Sequence, residues 1–341
     1  MSIRDFLDDS GTILTRSSWA GRGWTLAERY LPSRLLIFAE GQIFWNCRTH
    51  LLSDTSQVPQ DPLWQLVGCD LGKVDSAGNL STDRVAWYRL VEYYTSASEL
   101  TSPTDVLPAV AGLAAASARG GRYFAGIWYD DIDVGLLWRS RGRPERSKRY
   151  TAPTWSWGSM NGPVTLSVSG NKRHHFDQDV EFLEIEVCTE LGSKRYTFSS
   201  REALKESEVD KQYCWVRAGH LRLTALSRSV RSDSKPAGTQ YYFDFNDDKE
   251  KWEVGGAEVI VALFSRWETF SSGKIQWHGL LLERVIDGKD QGVGVVNETR
   301  YKRVGVYMGD LRKLRRGTDS ERATEDVGLG FEWEMQEFVI I

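Results

Sequence analysis

The stretch V-E-F-L-E-I-E-V, residues Val180 to Val187, decides the fold class of the second half of this chain. Apolar and acidic residues nearly alternate along it, and a period of two is typical of a strand that buries one face. Similar runs follow at Gly219 to Leu226, Gln240 to Phe245, Glu258 to Phe264, Ile275 to Leu282, Arg303 to Met308 and Phe331 to Ile341. Turn-rich, charged segments such as S-D-S-K-P-A-G separate them. About seven strands divided by such turns predict an antiparallel sandwich or barrel.

The first half of the chain carries most of the helical signals. Trp24 to Leu31 places its apolar residues on one stripe, and Pro32 ends the pattern, so a short amphipathic helix is predicted there. Asp83 to Tyr94 and the alanine-rich run Ser102 to Ala118 predict two further helices.

A β-hairpin is predicted just after the first helix. Its strands are Arg34 to Phe38 and Gln42 to Cys47, which the loop A-E-G joins. The whole pattern predicts an α+β fold, in which a helical layer in the N-terminal half packs on an antiparallel β sandwich or barrel. We expect a mixed helical region over residues 1–160 and a β-rich region over residues 161–341, with one shared core.

Composition narrows the class of protein. The chain has 341 residues, 41% of them hydrophobic and 26% charged, with a net charge of −4, as in a folded protein that does not bind nucleic acid. Its longest apolar runs, such as Val259 to Phe264, are too short to span a bilayer. The first residues, M-S-I-R-D-F-L-D-D-S-G, have acids where a signal peptide needs an apolar core, so we expect a cytoplasmic protein without membrane contact. Scattered cysteines and few histidines predict no metal site.

Several blocks of sequence resemble one family. R-G-W-T-L-A-E-R-Y-L-P-S-R-L-L-I-F, beginning at Arg22, is followed by Q-I-F-W-N-C-R. Later come W-Y-R-L-V-E-Y-Y-T-S-A-S-E-L-T, D-V-L-P-A-V-A-G-L-A, Y-F-A-G-I-W-Y-D-D-I, G-L-L-W-R and A-P-T-W-S-W-G-S. In this order the blocks resemble the downstream portion of fungal heterokaryon-incompatibility (HET) domain proteins. The matching positions near the start are Trp24, Leu26, Glu28, Leu31, Arg34, Trp45 and Cys47.

The resemblance has two gaps. The family's N-terminal core, with blocks like S-Y-x-W-G and W-x-D-x-x-C-I-x-Q, does not occur before Trp24, and the family's Gln-Glu pair is Ala27-Glu28 here. The resemblance implies a role in fungal non-self recognition or cell-death signalling through contacts with a protein partner, without a cofactor. Two alternatives remain open: a small-molecule enzyme of fungal secondary metabolism, and a fragment that is unfolded without the missing core.

The first candidate site surrounds Glu28. This acid lies between Arg22 and Arg34, close to Trp24, and Arg34 opens a strand from which it could grip the carboxylate. A structural ion pair is one interpretation. In the other, Glu28 is catalytic, and Arg22, Trp24 and Arg34 bind a ligand.

The second candidate is T-A-P-T-W-S-W-G-S-M, residues Thr151 to Met160. If this segment is extended, Trp155 and Trp157 share a face. They would then either fill the boundary between the helical and β halves or form an aromatic wall for a small ligand.

The third candidate is the acidic run Y-D-D-I-D, with Asp130 as a ligand-binding and Asp131 as a catalytic residue. Together with N-D-D-K-E at Asn246 to Glu250, it could hold Mg²⁺ beside a diphosphate in cyclase or prenyl chemistry. The alternative is a set of acids that favour a helix N-terminus.

Overall fold

The computed structural model describes residue 19 and residues 21–39, 42–47, 50–54, 57–58, 84–97, 100–117, 121–142, 144–166, 172–176, 181–197, 215–236, 238–269, 275–285, 299–309, 314–316, 324–326 and 332–341. The α-helices in these ranges are α1 (Thr25–Tyr30), α2 (Arg84–Ala97), α3 (Pro108–Ser117), α4 (Ile132–Gly135) and α5 (Asn246–Glu253). Short 3-10 turns lie at Pro103–Asp105, Tyr129–Asp131, Trp157–Ser159 and Ser232–Ser234.

The strands that precede residue 167 are short. They are β1 (Arg34–Ala39), β2 (Gln42–Cys47), β3 (Leu51–Ser53), β4 (Gln57–Val58), β5 (Tyr123–Phe124), β6 (Ile127–Trp128), β7 (Trp138–Ser140), β8 (Glu145–Arg146), β9 (Met160–Asn161) and β10 (Val164–Leu166). The second half has β11 (Lys172–Phe176), β12 (Glu181–Thr189), β13 (Gly192–Thr197), β14 (Val216–Val230), β15 (Thr239–Phe243), β16 (Val259–Thr269), β17 (Ile275–Arg284), β18 (Arg300–Gly309), β19 (Leu314–Arg316), β20 (Thr324–Asp326) and β21 (Glu332–Ile340).

The second half forms a large sheet, as the alternating runs predict. Eleven strands are hydrogen-bonded in it, and the path β14-β16-β17-β18-β21 returns to β14, because β21 pairs with both β18 and β14. The sheet is not purely antiparallel, since Arg300 and Tyr301 of β18 pair in parallel with Val339 and Ile340 of β21. Strand direction explains this correction. A closed ring with an odd number of strands cannot alternate in direction at every step, so at least one neighbouring pair must be parallel.

Both faces of the central strands are buried. In β16, Val261 and Leu263 belong to one apolar cluster, whereas Ala262 and Phe264 belong to another on the opposite face. The near-continuous run V-I-V-A-L-F is therefore the pattern of a strand covered on both sides. By contrast, β12 alternates between buried apolar and half-buried acidic residues.

A β-bulge keeps β12 in phase with the core. The apolar pattern of E-F-L-E-I-E-V changes phase at Leu183, and the pairing between β12 and β14 shifts between Phe182 and Glu184. One extra residue at this point lets both Phe182 and Ile185 reach the buried face.

The first half contains the predicted elements with changed ends. α1 lies within Trp24 to Leu31, and β1 and β2 pair antiparallel in the predicted hairpin. α2 extends to Ala97, three residues past its predicted end. α3 begins at Pro108, six residues after the predicted start, because Pro103–Asp105 forms a separate 3-10 turn. Pro108 is well placed there, since proline is tolerated in the first turn of a helix.

Contacts cross the expected division after residue 160. Strand β10 pairs with β7, and β9 pairs with β8. Glu92 of α2 accepts hydrogen bonds of 2.7 Å from both the Thr165 hydroxyl and the Leu166 amide of β10. A single buried apolar cluster includes Trp87 and Val91 of α2, Leu113 of α3, and Leu221, Leu280 and Phe338 of the large sheet.

A buried arginine of the second half, which is paired with an acid of the same half, also contacts the first half. The Arg303 guanidinium of β18 contacts the Asp244 carboxylate, with Nε–Oδ2 at 3.0 Å and Nη2–Oδ1 at 3.2 Å. It also donates to the carbonyls of Leu136, at 2.6 Å, and of Trp138, and lies 3.4 Å from the centroid of the Trp138 ring. Arg303 is thus paired and hydrogen-bonded to groups from both halves.

In the part of the chain that the structure describes, we find no helix with the length and apolarity that crossing a membrane requires.

Candidate functional site

The T-A-P-T-W-S-W-G-S segment is a turn and not an extended strand. The Ser156 hydroxyl donates to the Ala125 carbonyl and accepts a 2.9 Å hydrogen bond from the Gly158 amide, which begins a 3-10 turn at Trp157. The two tryptophans consequently do not share a face. Trp155 packs near Gly219 of β14, and Trp157 packs edge-on against Tyr94 of α2, with ring centroids 6.3 Å apart.

Both tryptophans are packed in the interior. Their exposed fractions are 0% for Trp155 and 1% for Trp157. The indole nitrogen of Trp157 donates to the Gly126 carbonyl at 2.8 Å. Gly126 has φ +95°, and a β-carbon there would lie 2.5 Å from that nitrogen, so only glycine fits beneath the ring. The pair leaves no surface on which a ligand could rest.

A small cavity lies beside this segment. Its volume is about 90 Å³, and its lining includes Tyr94, Thr95, Leu100, Pro103, Met160 and Asn161. Neither Trp155 nor Trp157 lines it. Such a volume holds a few water molecules and is well below the ~300 Å³ of ordinary ligand pockets.

The acidic run near residue 130 precedes a short helix. Asp131 ends a 3-10 turn just before α4, and the Tyr88 hydroxyl of α2 donates to its carboxylate. Burial raises the pKa of Asp133 in the first turn of α4. The side chain of Asp130 lies outside the described part of the structure. The second acidic run forms the first turn of α5, where Asp248 is buried and binds Arg146 at 2.7 Å.

The residues around Glu28 lie at the surface. Glu28 is exposed and accepts a 3.3 Å hydrogen bond from the indole of Trp19, and Trp24 donates to Asp105 at 3.4 Å. Arg22 and Arg34 are exposed as well. Among the described residues, no ion pair joins Glu28 to Arg34. The structure therefore places these groups along one exposed edge and does not gather them into an enclosed site.

The hairpin beside them has an apolar outer face. Ile37 and Phe44 point inward and pack with Trp19, Leu35 and Ala39. The outward positions are also apolar, with exposed fractions of 49% for Leu36, 74% for Phe38, 42% for Ile43 and 40% for Trp45. Leu36 pairs with Trp45 across the strands, and Phe38 pairs with Ile43, so the four side chains form one patch. We call this patch the hairpin face.

Opposite charges mark the two ends of the hairpin face. Arg34 lies two residues before Leu36, and Asp54 follows β3 beside Ile43, whose carbonyl accepts the Asp54 amide at 3.1 Å. Both charged residues are exposed. Of these two charged residues, sequence reasoning named only Arg34 as a candidate ligand-binding residue. The available signal was the unbroken apolar character of L-L-I-F and I-F-W, which leaves no polar side for solvent.

One group of side chains could hold a metal ion. Glu184 and Glu186 of β12 and His220 of β14 each offer a ligand atom, and these atoms all lie within 4.8 Å of one another. Sequence reasoning missed the group because His220 lies 36 residues after Glu184, and the two meet only when β12 pairs with β14.

Comparison with known proteins found no match among family models, curated proteins or solved structures.

Proposed function

We propose that this chain is a HET-like protein that acts through protein contacts in fungal non-self recognition or cell-death signalling, in the cytoplasm. The observation that carries the proposal is the hairpin face. A contiguous patch of large apolar side chains at the surface is typical of a site of protein interaction. Of the positions that carry the family resemblance, Trp24, Leu31 and Trp45 are large apolar residues at the surface.

The partner we propose for the hairpin face is a second copy of the same chain. A two-fold axis through the patch would place Arg34 of one copy against Asp54 of the other, because these residues occupy opposite ends of the sheet. The contact would be isologous, and both ion pairs would form at once. Apolar contact in the middle with charges at the rim is the usual anatomy of such an interface.

The size of the patch predicts a weak dimer. A fully buried aromatic side chain covers about 150–250 Å², and the two aromatic and two aliphatic side chains of the hairpin face are 40% to 74% exposed. Together they present on the order of 400 Å² per copy. A total of ~800 Å² is below the ~1,200 Å² at which standard specific interfaces begin and falls in the range of weak, transient contacts. We therefore expect a dissociation constant on the order of 10–100 μM.

Sedimentation equilibrium on the purified chain tests this proposal. Phe38→Ser is expected to weaken dimerisation ~10-fold, because it removes the most exposed side chain of the patch. Leu191→Ser is the matched control, since Leu191 is 60% exposed and lies in the turn between β12 and β13. A monomer at all concentrations, or equal weakening by both variants, overturns the assignment.

A charge exchange tests the orientation of the two copies. Arg34→Asp and Asp54→Arg should each weaken dimerisation, because each places like charges together at both ends. The double variant should restore it, because the pairs reform with the signs reversed. Failure of the double variant to recover would rule out the two-fold arrangement.

We further propose that the helical layer packs on the sheet through the shared apolar cluster, and that the closed ring of strands forms a small barrel. Both proposals are supported by the mixed membership of that cluster and by the pairing of β21 with β14.

A further inference from the structure

The outer face of strands β12, β13 and β14 carries an arrangement of charges that the contact function does not use. Glu184 and Glu186 are two residues apart on β12, so both side chains point away from the core that Ile185 and Val187 enter. His220 of β14 lies directly across from Glu186, and Arg195 of β13 lies across from it on the other side. Strand pairing therefore holds these groups on a rigid surface.

The nitrogen and oxygen atoms of the three side chains lie close enough together to bind one metal ion. The His220 Nε2 atom lies 2.7 Å from Glu184 Oε1, and His220 Nδ1 lies 3.8 Å from Glu186 Oε2. The side chains are 22% exposed for His220, 16% for Glu184 and 15% for Glu186. Two carboxylates that share so little solvent repel each other unless a cation lies between them.

The Arg195 side chain contacts both carboxylates and offsets part of this repulsion, and Arg222 of β14 lies directly across from Glu184. Arg195 Nη2 lies 2.7 Å from Glu186 Oε2, and Arg195 Nε lies 3.8 Å from Glu184 Oε2. Its side chain is 60% exposed, so it can turn into solvent without leaving a cavity. Arg222 is itself paired with Glu337 at 2.5 Å, so its charge is shared with a third carboxylate.

A neighbouring hydroxyl supports one of the carboxylates. Ser193 of β13 donates to Glu186 Oε1, and the other oxygen, Oε2, accepts from Arg195 and lies 3.8 Å from His220 Nδ1. Hydrogen bonds of this kind fix the orientation of ligating carboxylates. The same bond, helped by Arg195, holds the pKa of Glu186 below its ordinary value.

We propose that Glu184, Glu186 and His220 form a binding site for a divalent transition-metal ion, with Zn²⁺ as the best match. One imidazole nitrogen and two carboxylates are a set of borderline and hard donors that zinc accepts at about 2.0–2.2 Å. The ion replaces the Arg195 guanidinium between the carboxylates, and its double charge neutralises them. Three protein ligands leave a fourth position for water.

Competition between Zn²⁺ binding to the full chain and to a chromophoric chelator tests the site. One Zn²⁺ per chain is expected. His220→Ala should weaken binding by more than ~100-fold, because it removes a direct ligand, and Ser193→Ala by about 10–100-fold, because it removes a supporting hydrogen bond. His50→Ala is the control for histidine content, since His50 lies in the short connection between β2 and β3, and it should change nothing.

Arg195→Ala provides the decisive comparison, because it removes the competing cation and leaves the three ligands in place. We expect Zn²⁺ affinity to rise by about 10-fold, because the positive charge of Arg195, which repels the Zn²⁺ ion, is removed from the edge of the site. X-ray absorption should show nitrogen and oxygen neighbours and no sulfur. Unchanged or weaker binding by Arg195→Ala, or binding that survives His220→Ala, overturns the proposal.

Discussion

Separating Asp244 from Arg303 should cost more stability than any surface change. Their side chains are 3% and 0% exposed, so removal of one partner leaves the other charge in the interior. Burial raises the pKa of Asp244, and Arg303 opposes that shift. Loss of one member of a buried ion pair typically costs about 3–5 kcal/mol.

The surroundings of the pair place the two single variants within that range. In Asp244→Asn the guanidinium keeps the carbonyls of Leu136 and Trp138 and the Trp138 ring, so we expect a cost near ~3 kcal/mol. Arg303→Met leaves the carboxylate and both carbonyls without these hydrogen bonds, so we expect a cost near ~5 kcal/mol. In the double variant no charge is stranded, and its cost should fall short of the sum by about 2 kcal/mol.

Thermal unfolding followed by tryptophan fluorescence measures these effects. For a chain of 341 residues, losses of this size correspond to a decrease in Tm of about 4–7 °C. Glu190→Gln is the matched control, because its ion pair with Arg217 is also short, at 3.0 Å, but the two side chains are 46% and 68% exposed. That variant should change stability by less than ~1 kcal/mol. Single variants that match this control, or strictly additive costs, would refute the reasoning.

Three further predictions concern other parts of the chain. Gly126→Ala should lower stability by about 2 kcal/mol or more in a urea titration, because φ is +95° and the new methyl group meets the Trp157 indole; a change below ~0.5 kcal/mol would contradict this. Burial raises the pKa of Asp133, so wild-type stability should fall as the pH rises above the ordinary pKa of 3.8. Asp133→Asn should therefore raise Tm at pH 7 and not at pH 3. Equal changes in Tm at the two pH values would exclude this role of Asp133. The pKa of Glu186 is lowered, chiefly by the hydrogen bond from Ser193, so its ionised form stabilises the fold above pH 4.5. Glu186→Gln should therefore lower Tm at neutral pH, and the difference in Tm from the wild type should disappear as the pH falls below 4.5. A difference in Tm that widens in acid would contradict this prediction.

Local periodicity predicted much of the fold from the sequence alone. The alternation in E-F-L-E-I-E-V and the apolar run V-I-V-A-L-F both became strands, and the hairpin formed between the predicted apolar runs. Such patterns report which side of an element is buried, because side chains repeat every two residues in a strand and every 3.6 residues in a helix. They do not report the identity of the neighbouring element.

The candidate sites depended on information that periodicity lacks. The prediction that Trp155 and Trp157 share a face assumed an extended segment. The hydrogen bonds of the Ser156 hydroxyl and the packing of Trp157 on Gly126, which has no side chain, favour a turn instead. The exposure of Phe38 was missed because an apolar residue in a strand is normally assigned to the core, although the unbroken apolar run L-L-I-F signals that one apolar side must face outward.

The sequence by itself determined the element types, the hairpin and the β-rich second half, because these follow from the order of apolar and polar residues within a few turns of chain. Only the tertiary structure decided that β18 and β21 run parallel, that Asp244 meets Arg303, and that His220 lies beside Glu184. Each of these contacts joins residues more than 30 positions apart. Long-range pairing depends on how all strands close around one core, and no local pattern in the chain encodes that closure.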